Sequence, residues 1–319
     1  MNFSDLPELD KMSLAINEKT APDVLSKLSH DANCRAQVAE NASTPVETLV
    51  RLADDEMPFV RARLASNPQI PVYLLIKLAN DTEFSVRSSV ARHPNCPIEQ
   101  LESLAKDDAW CVKENVASNR NTPAELLYLI ADYRNTDMSA FDDCQKWALI
   151  DTVGEVAANH NCPIDLLVAL SEHSNGEVRG RVAKHIPSSH ERFISMTVDG
   201  DFYVRSCAAE NKDCSIEILV MLLNDTEELV RIRAEENLSG KSGEDFEKAV
   251  CDGLFLSTPV CNSQDKTVGS VLLDAGLTDA YQAVQAAEIY RMVTQATSGS
   301  ADSAVSGKTM ASIAGSLRM

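Results

Sequence analysis

The chain has 319 residues, of which 44% are hydrophobic and 5% aromatic, and it carries a formal net charge of −19. Such acidity disfavours nucleic acid as a partner, because phosphate-binding surfaces need clustered Lys and Arg. No apolar run reaches about 18 residues, so the sequence predicts neither a transmembrane helix nor a membrane partner. Nine cysteines without a C-x-x-C pair, behind a polar N-terminus, favour a reducing cytoplasm.

From residue 17 onward one phrase recurs: Val-Arg, then Val-Ala-x-Asn, then Thr-Pro or Cys-Pro, then Leu-x-x-Leu. It is clearest in the copy VRARLASNPQIPVYLLIKLAND, which starts at Val60. A fixed period predicts a solenoid, because each unit can bury its apolar face only against its neighbours. The last residue of the Val-Ala-x-Asn element marks eight copies, most of them 26 residues apart: Asn17, Asn41, Asn67, His93, Asn119, Asn159, His185 and Asn211.

Each copy predicts two short helices. The first should begin at the Pro, whose fixed φ suits the first helical position. The preceding Thr is then the expected N-cap, and Thr44 with Glu47 matches a capping box. Leucines three apart, such as Leu49 and Leu52, predict the buried face of this helix. After a polar loop, a second short helix should begin at the Val.

An Asp and an Arg also recur at fixed positions of each copy. The Arg follows the Val that opens the second helix, and the Asp stands six residues before the Arg. Recurrence at every level predicts a ladder in which each Arg links the loops of its own and the next repeat. Such charges fix register more than they bind a ligand. The predicted ladder residues are Arg61, Arg87, Arg179, Arg205, Arg231, Asp55, Asp81, Asp107, Asp199 and Asp225.

The phrase resembles the bacterial leucine-rich repeat variant (LRV) family, a relative of HEAT-type α-solenoids, over roughly residues 12–239. The resemblance implies an all-α fold, a right-handed superhelical solenoid of about eight two-helix repeats, to which the sequence adds a helical C-terminal cap. A founding member of the family carries an iron–sulfur cluster on an N-terminal Cys cluster. Because no Cys precedes Cys34 here, we expect no cofactor, and we expect no metal site.

The pattern predicts an N-terminal cap over 1–16, the repeat solenoid over 17–239, a helical cap over 240–296 and a disordered tail over 297–319. Between Asn119 and Asn159 the step lengthens to 40 residues, which places an insertion of 14 residues near 133–148. One interpretation is a tolerated surface loop, since long insertions cost little entropy. The other is a partner site shaped by its aromatic residues, Tyr133, Phe141 and Trp147.

Two further surfaces are candidates for partner binding. Aromatic residues gather where the second helices begin, and they either cover the core or form an exposed stripe for a protein or peptide. The exposure of Trp110 and Tyr203 distinguishes these two cases. The other candidate is the row just after the Arg, which should face away from the core. The residues of this row are Arg63, Glu114, Arg181 and Arg233.

No catalytic constellation stands out, so we predict a protein that is not an enzyme. Cys96, Cys162 and Cys214 stand where a helix begins, a position that lowers a thiol pKa, although a small buried replacement for Thr is the favoured interpretation. We therefore predict a protein-interaction scaffold or adaptor of a bacterial cytoplasm, which binds a protein or peptide. The sequence predicts neither the partner nor the oligomeric state.

Two alternatives remain. One is a HEAT-like enzyme that acts on nucleic acid, which the charge disfavours. The other is a cyclic-dinucleotide sensor, because VGSVLLDAGLT from Val268 resembles a string in the N-terminal domain of type II secretion ATPases. Lys266 is the basic residue beside that string.

Overall fold

The computed structural model describes residues 6–132, 142–260 and 265–301, with side chains described as far as residue 295. Over these ranges the regular structure consists of twenty α-helices, with one isolated β-bridge between Pro259 and Thr267 and no strand. The prediction of an all-α fold is thus confirmed. No helix in these ranges has the length and apolar character needed to cross a membrane.

The chain divides into two compact units, Met1–Ile186 and Pro187–Met319. This division falls inside the predicted repeat region, and the predicted caps remain predictions. Residues 302–319 of the predicted tail, which was placed at 297–319, and residues 133–141 of the insertion lie outside the described residues. The described part of the insertion lengthens one second helix to 16 residues, compared with nine in the second helix before it.

The first unit alternates first and second helices. Its helices are α1 Glu8–Ile16, α2 Pro22–Leu28, α3 Arg35–Glu40, α4 Val46–Leu52, α5 Pro58–Ala65, α6 Val72–Leu78, α7 Phe84–Arg92, α8 Ile98–Leu104, α9 Trp110–Ser118, α10 Ala124–Ala131, α11 Asp143–Ala158, α12 Ile164–Leu170 and α13 Gly176–Ala183. The second helices, from α1 and α3 to α13, pack directly on one another, whereas the first helices contact chiefly the second helices on either side. Neighbouring helix pairs therefore stack as a helical repeat predicts.

The apolar face of each pair forms the core between levels. Leu49 and Leu52 of α4 are fully buried, as is Leu64 of α5. Full burial of such a side chain contributes about 1.5–3 kcal/mol. The predicted Leu-x-x-Leu face is therefore confirmed, and the low aromatic content is consistent with a core of Leu, Val and Ala.

The predicted capping boxes of the first helices are wrong. Pro45 is the N-cap of α4, with an extended backbone (φ −61°, ψ 146°), and α4 begins one residue later at Val46 without a side-chain cap. Thr44 therefore lies too early to reach the orphan N–H groups of the first turn. Its hydroxyl donates instead to the carbonyl of Val38, in the last turn of α3, at 2.6 Å. Thr thus caps the end of the preceding helix rather than the start of the next.

The second unit contains two helix pairs and three further helices: α14 Glu191–Thr197, α15 Phe202–Ala209, α16 Ile216–Leu222, α17 Glu228–Ser239, α18 Gly243–Cys251, α19 Val268–Asp274 and α20 Thr278–Ala301. Ser242 caps α18 in a capping box with Asp245. Helices α19 and α20 meet at Gly276, whose φ of +74° suits a residue without a Cβ. Both α18 and α19 pack on α20.

Candidate functional site

A row of buried asparagines joins consecutive repeats. The Nδ2 of Asn67 donates to the carbonyls of Ala39 and Asn41, both at 2.8 Å, while its Oδ1 accepts the N–H of Gln69 at 2.8 Å. Its side chain is fully buried. Four other asparagines donate to two carbonyls of the preceding repeat in the same way: Asn41, Asn119, Asn159 and Asn237. The Asn of the phrase is thus a structural tie, a role that its recurrence alone did not indicate.

His93 takes the place of Asn in one copy. Its Nδ1 accepts the N–H of Asn95 at 3.0 Å, so its Nε2 carries the proton that is donated to the carbonyl of Asn67 at 3.1 Å. Burial lowers the pKa of His93 below its ordinary value of 6.5, although the hydrogen bond to Asn67 acts in the opposite direction. Protonation of Nδ1 would break the bond from Asn95 inside the core.

We expect His93→Asn to remove one source of acid sensitivity. Because the folded pKa of His93 is depressed, the unfolded chain takes up its proton first, and stability is lost as the pH falls below 6.5. Asn keeps both kinds of hydrogen bond and does not titrate. Between about pH 7.5 and about pH 5 the variant should therefore lose less stability than the parent protein. Urea unfolding at both pH values measures this, with exposed His160→Asn as the control, and equal pH slopes for variant and parent would contradict it.

The predicted Arg and Asp residues form inter-repeat ion pairs. Arg61 donates from Nε and Nη2 to the two carboxylate oxygens of Asp81, at 2.6 and 2.8 Å, and from Nη1 to the carbonyl of Asp55 at 2.7 Å. The carboxylate thus belongs to the next repeat. Asp55, six residues before Arg61, accepts through its backbone carbonyl instead. The same bidentate geometry joins Arg87 to Asp107, and Arg205 to Asp225.

The remaining ladder residues follow this plan in part. Asp55 accepts from Arg35 Nη1 at 2.9 Å. Arg179 donates from Nη1 to the carbonyl of His173 at 2.8 Å, and Arg231 donates from Nη1 to the carbonyl of Asp225 at 2.9 Å. Asp199 offers its carbonyl to Arg205 at 2.8 Å. Arg179 and Asp199 belong to different units.

The ladder carboxylates are kept ionised. Burial acts to raise the pKa of Asp81, but the hydrogen bonds from Arg61 and from the N–H of Glu83 outweigh it, so the pKa lies below 3.8. Asp107 shows the same balance, in which Arg87 and the N–H of Ala109 lower its pKa more than burial raises it. Fully partnered charges at these levels serve register rather than ligand binding.

Activated thiols, the less favoured interpretation of the cysteines where helices begin, are contradicted by the structure. Burial raises the pKa of Cys96, Cys162 and Cys214 to about 12. The helix N-terminus does not lower these pKa values, because the thiols point into an apolar core where a thiolate is poorly solvated. Cys96 and Cys214 are buried and Cys162 is partly buried, as expected of small residues that replace Thr. Among the described residues, no group of three or more His, Cys, Asp or Glu side chains could hold a metal ion.

The predicted row after the Arg is not a set of free cations. Arg63 pairs with Glu40 at 2.7 Å, Arg181 with Asp151 at 2.7 Å, and Arg233 with Glu210 at 2.9 Å. These pairs are exposed enough that each contributes only about 0–1 kcal/mol. Burial raises the pKa of the fourth member, Glu114, and the carboxylates of Asp151 and Glu155 raise it further. The side chain of Arg181 crosses over Gly154, where an added Cβ would lie 3.1 Å from its Cδ.

The aromatic residues where the second helices begin are more exposed than they would be if they covered the core. Phe59 on α5 is 55% exposed and Phe84 on α7 is 53% exposed, and Trp110 on α9 is half-buried. Because α5, α7 and α9 pack side by side, these residues lie at the same end of three consecutive levels. We call Phe59, Phe84 and Trp110 the aromatic surface. Arg63 lies 5.1 Å from the ring centroid of Phe59, and Lys113 Nζ lies 4.5 Å from that of Trp110.

The other predicted aromatic residues are not brought to this surface. Tyr203 is half-buried on α15 of the second unit. Trp147 is 54% exposed on the N-terminal half of α11. Tyr133 and Phe141 lie outside the described residues, so the role predicted for the insertion stays a prediction.

A second apolar surface was not predicted from the sequence. It lies on the first helices, at the positions one and five residues after the Pro, and each of its side chains is 40–48% exposed. We call it the aliphatic surface, and its residues are Val46, Val50, Val72, Ile76 and Ile98. The signal in the sequence was the recurrence of Val or Ile just after the Pro, beside the leucines that fill the core.

Comparisons with known proteins support the repeat and add no function. The leucine rich repeat variant family model matches residues 34–57, which contain α3 and α4. No curated protein matches the chain. A solved structure described as an engineered protein is similar over 87% of this chain and 97% of its own, at 17% identity and a TM-score of 0.20, too low to carry an argument. The resemblance of the repeated phrase is thus confirmed: the chain contains a leucine rich repeat variant, at residues 34–57, within a framework of stacked helical repeats.

Proposed function

We propose that the protein is a scaffold or adaptor of a bacterial cytoplasm, which binds a protein or peptide partner through the aromatic surface of the first unit. The observation that supports this most is the exposure of Phe59 and Phe84, each more than half open to solvent on directly packed helices. Single exposed apolar residues are ordinary, but aromatic side chains grouped on a rigid face are typical of binding hot spots.

The scaffold beneath this surface is well ordered before a partner arrives. The ion pairs of Arg61 with Asp81 and of Arg87 with Asp107 tie α5, α7 and α9 together at the level of their first turns. The buried tie of Asn67 holds the other end of α5 to the preceding repeat. A preorganised surface loses little conformational entropy on binding, so more of the contact energy appears as affinity.

The surroundings of the rings indicate what a partner offers. Covering each half-exposed phenyl ring with apolar groups contributes on the order of 1 kcal/mol or more. Arg63 stacks on Phe59, and Lys113 stacks on Trp110. A segment whose apolar side chains cover these rings would match this surface. The proposal requires no catalysis and no cofactor.

No observation favours either of the two alternative functions. An enzyme acting on nucleic acid needs a basic surface, and the candidate arginines Arg63, Arg181 and Arg233 are paired with carboxylates. A cyclic-dinucleotide sensor needs cations for phosphate. Lys266 Nζ lies 3.2 Å from Asp274 instead.

The test compares two matched double variants. Phe59→Ala with Phe84→Ala removes both phenyl rings of the aromatic surface, and Val72→Ser with Ile76→Ser makes the middle of the aliphatic surface polar. Partners recovered by affinity purification from the native cell are quantified by mass spectrometry, and the dissociation constant of the recovered partner is then measured. We expect the aromatic variant to bind at least about tenfold more weakly, and the aliphatic variant to bind like the parent.

The opposite pattern, with binding lost only in the aliphatic variant, would contradict the assignment of the aromatic surface. Retention of the partner by both variants would do the same. Urea unfolding of both variants shows that any loss of binding is not a loss of fold, because all four side chains are exposed.

A further inference from the structure

The ion-pair ladder of the second unit ends with an unfinished rung at Arg231. At the rung before it, Arg205 donates from Nη1 to the carbonyl of Asp199 at 2.8 Å, and from Nε and Nη2 to Asp225 at 2.8 and 2.9 Å. Arg231 repeats the first half of this pattern. Its Nη1 donates to the carbonyls of Asp225 and Thr226, both at 2.9 Å.

The edge of the Arg231 guanidinium that should hold a carboxylate meets none in the described part of the chain. At the complete rungs the Asp stands 20 residues after the Arg, and the residue 20 positions after Arg231 is Cys251. Beside Arg231 lies a cavity of about 300 Å³ instead, lined also by Asn224, Lys266 and Val271. Unlike the rungs at Arg61, Arg87 and Arg205, this one leaves the guanidinium beside open space.

The carboxylates around this cavity are already neutralised or lie on its rim. Asp225 receives both donors of Arg205, and Asp274 lies 3.2 Å from Lys266 Nζ. Glu235 is exposed to solvent and forms no ion pair with Arg231 within 4.0 Å in the described residues. None of these groups takes the position that Asp225 takes against Arg205.

We infer that this cavity is a carboxylate-binding site, with Arg231 as its bidentate receptor. A planar guanidinium fork matches a carboxylate in geometry as well as charge, and three rungs of this chain show that match at Arg61, Arg87 and Arg205. The acidic rim disfavours a phosphate dianion. The carboxylate comes from a peptide, as a side chain or C-terminus, or from a small organic acid. This site lies in the second unit and does not rest on the function proposed for the first.

The test observes the receptor directly. Nuclear magnetic resonance spectra of the ¹⁵N-labelled full chain contain an Nε–Hε signal for each ordered arginine. Those of Arg231 and Arg205 are assigned by their loss in Arg231→Lys and Arg205→Lys. The protein is titrated at constant ionic strength with sodium succinate, with acetyl-Gly-Asp-Gly-amide, and with the uncharged control acetyl-Gly-Asn-Gly-amide.

We expect the Arg231 signal to move and saturate in the millimolar range, as a single ion pair at a partly exposed site allows. The Arg205 signal should stay in place because Asp225 occupies its fork. A response to both acids supports a general carboxylate site, a response to the peptide alone identifies a polypeptide source, and a response to succinate alone identifies a small acid. An immobile Arg231 signal, equal shifts at Arg205 and Arg231, or an equal response to the Asn peptide would overturn the inference.

A charge-conserving variant tests the bidentate role of Arg231 independently. Arg231→Lys keeps the positive charge and loses the fork, so we expect at least about fivefold weaker binding, followed on the backbone amide of Val271. Binding as tight as that of the parent would show that charge alone attracts the ligand, which would overturn the role of Arg231 as a bidentate receptor.

Discussion

Replacing Asn67 with Ala is expected to lower the free energy of unfolding by about 3 kcal/mol. The change removes two hydrogen bonds to the carbonyls of Ala39 and Asn41 and one from the N–H of Gln69. The side chain is fully buried, so water cannot replace these partners, and each lost bond costs about 1 kcal/mol. Asn67→Asp should be at least as damaging, because it keeps the acceptor, loses both donors and buries a charge.

Urea unfolding followed by tryptophan fluorescence measures this effect in the right part of the chain. Both tryptophans, Trp110 and Trp147, lie in the first unit with Asn67. The matched control is Asn80→Ala, since the amide of Asn80 makes one exposed bond to the carbonyl of Ile76. This control should change the free energy by less than about 0.5 kcal/mol. If Asn67→Ala stays within the same limit, the asparagine row does not tie the repeats together.

Replacing Arg87 with Met is expected to destabilise the first unit by about 2–3 kcal/mol near neutral pH. The side chain of Asp107 is 8% exposed and that of Arg87 is 19% exposed, so the change leaves a nearly buried carboxylate without its partner. The effect should be smaller than that of breaking a fully buried pair, because water reaches this one in part. The double variant Arg87→Met with Asp107→Leu should recover most of the loss, because no charge is then stranded.

The pH dependence of this variant follows from the direction of the pKa shift. Burial raises the pKa of Asp107, while Arg87 and the N–H of Ala109 lower it more, so the net value lies below 3.8. A depressed pKa contributes stability that is present above 3.8 and is lost as the pH falls through the folded value. Without Arg87 the burial remains, and the pKa should rise instead. Parent and variant should therefore approach each other in stability as the pH falls towards about 3.5.

The exposed ion pair of Arg63 with Glu40 provides the control for the ladder. Both side chains are about 45% exposed, so Arg63→Met should cost about 0–1 kcal/mol with little dependence on pH. Equal losses in Arg63→Met and Arg87→Met would show that the ladder contributes no more than a surface pair. A difference between parent and Arg87→Met that widens in acid would contradict the assigned pKa direction.

Several features of this protein were predictable because they depend on spacing along the chain. The positions of Leu49 and Leu52 set a buried stripe, and the recurring Val and Pro divided each copy into two helices. The capping box was not predictable in this way. Thr44 and Glu47 have the right spacing, but the extended backbone of Pro45 moves the start of α4 by one residue. A one-residue shift changes which backbone group a short side chain reaches.

The candidate sites depended more strongly on tertiary contacts. Arg63, Arg181 and Arg233 were predicted to face solvent, and each in fact reaches a carboxylate of a neighbouring helix. Sequence spacing does not show such pairs, since the partners lie 23 to 30 residues away. The open fork of Arg231 was equally hidden, because its predicted role as a ladder residue assumed a next level that the fold does not build.

The sequence by itself determined the repeat, its two helices and the residues that fill the core, because periodic apolar positions dictate which faces must be buried. It also indicated the Arg and Asp ladder, because the same two charges return at each level. Only the tertiary structure decided how these groups behave. Burial raises the thiol pKa of Cys96, although a helix N-terminus would lower it. Stacking decides which carboxylate each Arg meets. Desolvation and contact between levels act through space, so the ends of the ladder, the aromatic surface and the aliphatic surface emerge only when the helices are packed.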